Sequence, residues 1–205
     1  MKWKEQAITI PVASEDLVLE GVWQVGGARG AVIAPPHPLY GGSLDHPVVN
    51  ELAYALYCAG FASVRFNWRG VGASQGASSG DALVAGRDYR AALEQLAASV
   101  DGPLLAAGYS FGAAAALRVA LGDQRVCSLI LVAPPLAMIR ELPLEKFERP
   151  LHVVVGQDDT FAPVAELSEI VAQLPSARLE VIPKTDHFFA RGLAELSELV
   201  RTAVA

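Results

Sequence analysis

The chain opens with two short stretches in which apolar and polar positions alternate. Residues 5–10 and 17–25 have this alternation and are bounded by Pro11 and by Gly26-Gly27, which is typical of half-buried strands. Because the two stretches are adjacent and separated by a short polar segment, we expect them to pair in antiparallel fashion.

The rest of the chain repeats a pattern of strand followed by helix. Nearly continuous apolar runs predict buried strands at 30–34, 61–66, 103–109, 126–133, 150–155 and 178–182. Helical spacing and helix-boundary residues predict helices at about 47–58, 81–99, 111–121, 163–173 and 189–203. Repeated units of this kind build a mostly parallel, twisted sheet with helices on both faces. We therefore predict an α/β fold with a sheet of about eight strands.

No part of this pattern indicates a second domain. We find no internal repeat, low-complexity tract or linker, and the one ambiguous segment, 134–149, is too short to be a domain. Of the 205 residues, 52% are hydrophobic and 19% are charged, which is globular composition. We therefore expect residues 1–205 to form a single domain.

Charge and targeting features narrow the partners and the location. The net charge is −6 and no Lys/Arg-rich run occurs, so we expect no nucleic-acid partner. No apolar stretch is long enough to span a bilayer and residues 1–21 lack a secretory signal, so we expect no membrane partner and a cytoplasmic location. Cys58 and Cys127 lie in apolar contexts and are expected to be buried, reduced thiols. The predicted edge strand 5–10 is compatible with a monomer or a homodimer.

One serine lies where a predicted strand turns directly into a predicted helix, in the sequence GYSFG (108–112). A turn this tight forces its central residue, Ser110, into a strained backbone and requires glycine two positions away on either side. Ser110 Oγ would then stand exposed above the sheet edge, near the amide of Phe111 at the helix N-terminus. The alternative interpretation is a helix N-cap serine beside two packing glycines.

The sequence also offers the base and the carboxylate that a serine nucleophile needs. Asp158 and Asp159 follow one predicted strand, and His187 follows the last one. Because functional groups in open α/β sheets gather at the carboxyl ends of the strands, these side chains are expected to meet Ser110 at one edge. This placement favours a Ser-His-Asp site over the N-cap interpretation.

Five stretches together resemble the α/β-hydrolase superfamily over nearly the whole chain. They are PPHPLYGGSLDHPVV (35–49), RFNWRGVGASQG (65–76), GYSFG (108–112), VGQDDTFAP (155–163) and TDHFF (185–189). The chain looks most similar to the small serine hydrolases without a cap domain that are related to dienelactone hydrolase and the short acyl esterases. The resemblance implies an α/β-hydrolase fold with Ser110 as nucleophile, His187 as general base and then acid, and an aspartate as the orienting group.

The spacing usual in the superfamily selects one of the two aspartates. The acid commonly follows a glycine by three positions with a proline further on, and Gly156 and Pro163 then select Asp159. Asp158 stays the alternative. Asp186 is adjacent to His187 in sequence, where side chains diverge, and is expected at the surface.

The resemblance further implies an oxyanion hole built from two amides. The first is that of Phe111, at the start of the helix after the serine. The second comes from the loop after the strand 30–34, where Pro38 replaces the commoner glycine and has no N–H. Alignment then gives the amide of Leu39, with Tyr40 as the alternative. His37 is expected to brace this loop.

A site without a cap should be open, because only 134–149 is available where many relatives insert one. Its rim is expected to consist of four aromatic side chains, Tyr40, Trp68, Phe161 and Phe188. Aromatic loops of this kind suit a small apolar acyl or aryl group. Ordinary core packing is the alternative for each of the four side chains.

The predicted activity is that of a serine carboxylesterase acting on small-molecule esters through an acyl-enzyme intermediate. No cofactor is required, and four scattered histidines without metal-ligand spacing argue against a metal. A peptidase, thioesterase, acyltransferase or lyase on the same scaffold, and a non-catalytic binding protein, are the alternatives. The loop 70–76 misses the G-x-G-x-x-G spacing of dinucleotide sites, and Arg69 beside it is expected to tie loops together.

Overall fold

The computed structural model describes residues 3–13 and 15–205, and within them eight strands form one sheet. The strands are β1 (Glu5–Pro11), β2 (Val18–Gln24), β3 (Gly30–Ala34), β4 (Ala62–Phe66), β5 (Leu104–Tyr109), β6 (Val126–Val132), β7 (Leu151–Gly156) and β8 (Ala177–Ile182). Their order across the sheet is β1-β2-β4-β3-β5-β6-β7-β8. The β1–β2 and β2–β4 pairs are antiparallel and all other pairs are parallel, which confirms the predicted architecture.

Helices cover both faces of this sheet. The described residues contain α1 (Pro47–Cys58), α2 (Ala82–Ala97), α3 (Phe111–Gly122), α4 (Leu136–Ile139), α5 (Val164–Val171) and α6 (Leu193–Ala203). The helices α1 and α6 pack on one face, and α2, α3 and α5 pack on the other. Each face has its own apolar core, because the strands in the middle of the sheet bury side chains on both sides. None of the helices in the described part of the chain is long and apolar enough to cross a membrane.

Two regions differ from the predicted pattern. The last helix begins at Leu193 and not at 189, because Phe189 (φ 53°) and Gly192 (φ 90°) have left-handed backbones that keep the chain in a turn. The ambiguous segment 134–149 holds only the short helix α4 and a single 3₁₀ turn, Leu144–Lys146. The connection from β6 to β7 therefore contains no cap domain.

The expectation that both cysteines are buried is wrong, since both thiols are exposed. Cys58 is the last residue of α1 and lies off the stripe of buried positions that includes Leu52 and Leu56. Cys127 is the extra residue in a bulge of β6, because the pairing with β5 moves from Val126 directly to Ser128. Apolar neighbours in the sequence therefore did not place either thiol in the core.

Candidate active site

The turn between β5 and α3 holds Ser110 in a strained backbone conformation. Its φ is 54° and its ψ is −119°, a region that residues other than glycine seldom occupy. A Cβ on Gly108 would lie 2.3 Å from the Gly112 carbonyl carbon, and a Cβ on Gly112 would lie 2.4 Å from the Pro35 carbonyl oxygen. Close backbone approach therefore requires both glycines. The Ser110 side chain makes no cap hydrogen bond to the helix, which removes the N-cap interpretation.

Ser110, His187 and Asp159 form a continuous hydrogen-bonded chain at the carboxyl edge of the sheet. Ser110 Oγ lies 3.0 Å from His187 Nε2, and His187 Nδ1 lies 2.7 Å from Asp159 Oδ2. The second carboxylate oxygen, Oδ1, accepts hydrogen bonds from the amides of Phe161 (2.8 Å) and Ala162 (2.9 Å). These amides fix the buried carboxylate so that Oδ2 can orient the imidazole. His187 Nε2 is then free to accept the serine proton.

Packing between two loops explains why Asp159 and not Asp158 contacts His187. The amide of Asp158 donates to the carbonyl oxygen of Thr185 (2.9 Å). Gly156 approaches the same oxygen so closely that a Cβ there would lie 2.2 Å away. With the loops held in this register, the Asp158 side chain faces solvent and the Asp159 side chain faces inward.

Tyr109, the residue before the serine, contacts His187 through both its hydroxyl and its ring. Its hydroxyl donates to the carbonyl oxygen of His187 at 2.8 Å, and the two ring centroids are 5.7 Å apart. Burial raises the pKa of Tyr109, so its hydroxyl stays protonated and remains a donor. Asp186 is exposed, as expected, and accepts from the amide of Phe188 (3.1 Å).

The loop after β3 differs from the alignment that selected Leu39 as an oxyanion donor. Pro38 begins a 3₁₀ turn, Pro38–Tyr40, for which His37 is the N-cap. The Leu39 amide therefore donates to His37 Nδ1 (3.2 Å), and the Tyr40 amide donates to the His37 carbonyl oxygen (3.1 Å). Both amides are occupied within the turn, and the side chain of Leu39 is exposed. The His37 ring braces the loop, as expected.

A cavity of about 620 Å³ surrounds Ser110 and His187. Aromatic and apolar side chains form most of its lining: Pro36, His37, Tyr40, His46, Tyr109, Phe111, Pro135, Met138, Phe161 and Phe188. Three of the four predicted rim residues are among them, and they are exposed, with relative accessibilities of 86% for Tyr40, 54% for Phe161 and 66% for Phe188. These three rings are the exposed aromatic side chains of the cavity lining.

The fourth predicted rim residue, Trp68, lies outside the cavity lining. It is only 1% exposed, and its Nε1 donates to the carbonyl oxygens of Pro35 (3.2 Å) and Pro36 (2.9 Å). Its ring packs edge-on against Phe111, with the centroids 5.4 Å apart. Trp68 therefore supports the loop after β3 from within the core, which is the packing alternative that the sequence left open.

His46 and Met138 line the cavity, although the sequence did not indicate them as site residues. His46 is the N-cap of α1, where its Nδ1 accepts from the Val48 amide (3.3 Å). Met138 lies in the short helix that replaces a cap. Their position in the sequence could have indicated both. His46 lies in the connection after β3 and Met138 in the connection after β6, and the carboxyl ends of parallel strands are where such sites form.

Only a protonated histidine could bring a charge to the described lining of the cavity. Burial lowers the pKa of His37, and burial together with the proximity of His187 lowers the pKa of His46, so both stay neutral near pH 7. None of the described lining residues is Asp, Glu, Lys or Arg. Across residues 3–13 and 15–205, no group of three His, Cys, Asp or Glu side chains is placed to hold a metal ion.

Comparison with known proteins agrees with this fold. Residues 42–144 match the family described as "Serine aminopeptidase, S33". An α/β serine hydrolase homologue from Coxiella burnetii is 33% identical, with a TM-score of 0.87, over 100% of this chain and 99% of its own. A serine hydrolase without a lid from Xanthomonas campestris is 29% identical, with a TM-score of 0.85, over 98% of this chain and 94% of its own.

An uncharacterized protein of Rickettsia prowazekii is 27% identical over 184 residues, which cover 83% of this chain and 76% of that protein. The sheet order, the missing lid and these similarities define the class as the α/β serine hydrolases. Within that class, the chain belongs to the family described as serine aminopeptidases.

Proposed function

We propose that this chain is a serine carboxylesterase that hydrolyses small, uncharged acyl or aryl esters. The observation that carries the proposal is the pair of contacts, 3.0 Å and 2.7 Å, that link Ser110 to His187 and His187 to Asp159 beside an apolar cavity. A strained serine, a histidine and a buried carboxylate in this arrangement form an activated nucleophile.

Acylation begins when Ser110 Oγ attacks the ester carbonyl carbon and His187 Nε2 takes the hydroxyl proton. The carbonyl oxygen becomes an oxyanion, and the carboxylate of Asp159 stabilises the imidazolium. When the bond to the leaving alcohol breaks, His187 returns the proton to the departing oxygen. The acyl group then remains on Ser110 as an ester.

Deacylation repeats these steps with water in place of the alcohol. His187 removes a proton from the water as its oxygen attacks the acyl carbon, and the proton returns to Ser110 Oγ when the acyl–enzyme bond breaks. The products are one carboxylic acid and one alcohol, and the balance of atoms needs only the ester and water.

The oxyanion needs amide donors that are free of other partners. The amide of Phe111 meets this requirement, because the first amide of a helix has no partner within the helix. For the second donor we assign His37 in place of Leu39, whose amide already donates to the His37 ring. The His37 amide makes no hydrogen bond to any other described residue, and its side chain lines the same cavity as Ser110.

The uncharged lining favours an ester over an aminopeptidase substrate. An aminopeptidase must hold a free α-ammonium group, for which a carboxylate near the serine is the natural partner. No described lining residue supplies one. Asp159 cannot serve, because its two oxygens are taken by His187 and by two backbone amides.

Covalent labelling tests the nucleophile. We expect incubation with a fluorophosphonate to add one adduct mass to the wild-type protein and none to Ser110→Ala, with both proteins folded by circular dichroism. Turnover of an aryl ester should fall by several orders of magnitude in Ser110→Ala. The control Ser128→Ala, on β6, should label like wild type. An adduct on Ser110→Ala, or none on folded wild type, would contradict the proposal.

A substrate panel tests the reaction class. We expect turnover of p-nitrophenyl butyrate to exceed that of a butyryl thioester, and we expect no release of p-nitroaniline from alanine p-nitroanilide. Faster cleavage of the anilide than of the ester would show that the protein is a peptidase and not an esterase. Faster cleavage of the thioester than of the ester would show that it is a thioesterase.

A further inference from the structure

A second, nearly closed cleft lies beside the active-site cavity. It has about 10 Å³ of free space, room for about one water molecule, against about 620 Å³ in the cavity. Phe111 and Met138 line both spaces, so these two side chains form the boundary between them. The remaining walls of the cleft are small alanines and one arginine: Ala82, Ala85, Ala114, Ala115 and Arg118.

Of the two boundary side chains, Met138 is the one with freedom to move. Phe111 is 2% exposed, and its ring is held against that of Trp68. Met138 is half-buried, and its unbranched thioether chain adopts several shapes at low cost. The buried side chains of Leu136 and Ile139 anchor the backbone of α4, so that motion can be confined to the methionine side chain.

The chemistry of ester hydrolysis places the leaving alcohol on one side of the cavity. His187 must return a proton to the leaving alcohol, so the alcohol lies beside its ring. Phe161 and Phe188 form that side of the cavity, with ring centroids 4.8 Å and 5.6 Å from the His187 ring. The lining also includes Phe111 and Met138, and the acyl group is assigned to that part of the cavity.

We infer that Met138 sets the length of the acyl chain that the site accepts, an inference that rests on the proposed esterase function. With the methionine in place, the acyl subsite ends at its thioether, which suits short groups such as acetyl and butyryl. Removing the side chain beyond Cβ joins the cavity to the cleft behind it. The volume that the thioether chain occupied, together with the cleft, then buries the end of a longer, straight acyl chain.

The test compares Met138→Ala with wild type on p-nitrophenyl esters from acetate to decanoate. We expect kcat/KM for octanoate relative to acetate to rise about tenfold. Each further methylene that leaves water contributes roughly a fourfold factor, and a tenfold gain corresponds to between about one and two methylenes buried in the new space. Met138→Leu is the matched control, since it refills the same space, and it should keep the wild-type ratio. Adding Ala82→Leu to Met138→Ala refills the cleft from α2 and should restore the wild-type ratio.

Phe161→Ala separates the two sides of the cavity. It should alter the preference among alcohols at a fixed acyl group and leave the octanoate-to-acetate ratio unchanged. The role of Met138 would be overturned by an equal change at all chain lengths in Met138→Ala, or by a long-chain gain that survives Ala82→Leu.

Alkylboronic acids make the test independent of ester turnover. The boron atom accepts a lone pair from Ser110 Oγ as His187 takes the hydroxyl proton, so the affinity reports the acyl subsite without hydrolysis. Calorimetry should show that Met138→Ala raises the affinity for octylboronic acid relative to butylboronic acid about tenfold. If this shift appears and wild type hydrolyses no ester, the esterase proposal fails and the role of Met138 stands. Ester hydrolysis without the shift overturns the role of Met138 alone.

Discussion

At the scale of the residue, hydrogen bonds to or from the backbone hold Asp159 and His187 in position. Two amides fix one oxygen of Asp159, and the Tyr109 hydroxyl holds the carbonyl of His187. Ser110 keeps a strained φ of 54° because β5 turns into α3 directly at this residue. Changes confined to the side-chain atoms of these residues should therefore alter activity without altering the fold.

The carboxylate provides a test of this separation. Asp159→Asn should lower kcat by about 10³- to 10⁴-fold, because the amide Nδ2 would face His187 Nδ1 and stabilise the wrong tautomer. The Asn Oδ1 can still accept from the Phe161 and Ala162 amides, so the thermal midpoint should stay close to that of wild type. The measurements are aryl-ester kinetics and thermal unfolding.

Asp158→Asn is the matched control, since the Asp158 side chain is exposed and Asp159 is the aspartate that contacts His187. We expect its kcat to stay within about twofold of wild type, as for surface substitutions. A larger loss in Asp158→Asn than in Asp159→Asn would transfer the acid role to Asp158.

At the scale of the element, the site exists because α3 begins directly against the end of β3. The Gly112 backbone approaches the carbonyl oxygens of Ala34 (2.5 Å from an added Cβ) and Pro35 (2.4 Å). These are backbone atoms, which cannot rotate away as a flexible side chain can. The position of the helix, and with it the amide of Phe111, therefore depends on a missing methyl group.

Gly112→Ala should destabilise the protein by about 1–3 kcal/mol or more, because the added Cβ forces α3 away from β3. Gly122→Ala is the control at the other end of the same helix, where a Cβ meets nothing within 4 Å. It should be neutral or stabilise by about 0.4–1 kcal/mol. Urea unfolding of both variants measures the difference, and equal stabilities would refute the steric argument.

The elements themselves were largely predictable, and the side-chain directions were not. Hydrophobic periodicity together with glycine and proline at the boundaries predicted α1 at 47–58 and the serine turn at 108–112. These signals work because glycine and proline restrict or free the backbone at their own positions. The Leu39 amide is unavailable to an oxyanion because it donates to His37 within a 3₁₀ turn, and the family motif gave no indication of that turn. The burial of Trp68 and the role of Met138 depend on tertiary packing, which no local pattern in the sequence specifies.

At the scale of the whole molecule, three expectations stay predictions. They are the single domain over residues 1–205, the cytoplasmic location, and the oligomeric state, monomer or homodimer. The structure does connect distant segments through Arg69, as expected from the sequence. Its guanidinium donates to Asp88 on α2 (2.6 Å) and to Glu15 in the connection between β1 and β2 (2.6 Å).

This ion-pair network makes part of the stability depend on pH. Hydrogen bonds from Arg69 and then from Arg87 lower the pKa of Glu15 from 4.5 to about 2. Because the pKa is depressed in the folded state, the unfolded chain binds more protons between these values, and stability falls as the pH falls. The contribution of Glu15 is fully present above about pH 4.5 and is lost as the pH approaches 2.

Glu15→Gln isolates this contribution, because glutamine keeps the size of the side chain and removes its charge. The variant should unfold at a lower urea concentration than wild type at about pH 6, and the gap should narrow steadily as the pH falls through 4.5 toward 2. Glu148→Gln is the control, since Glu148 forms no ion pair with any described residue, and its urea midpoint should follow wild type at each pH. A gap for Glu15→Gln that stays constant across this range would show that the carboxylate stabilises the fold by packing and not by its charge.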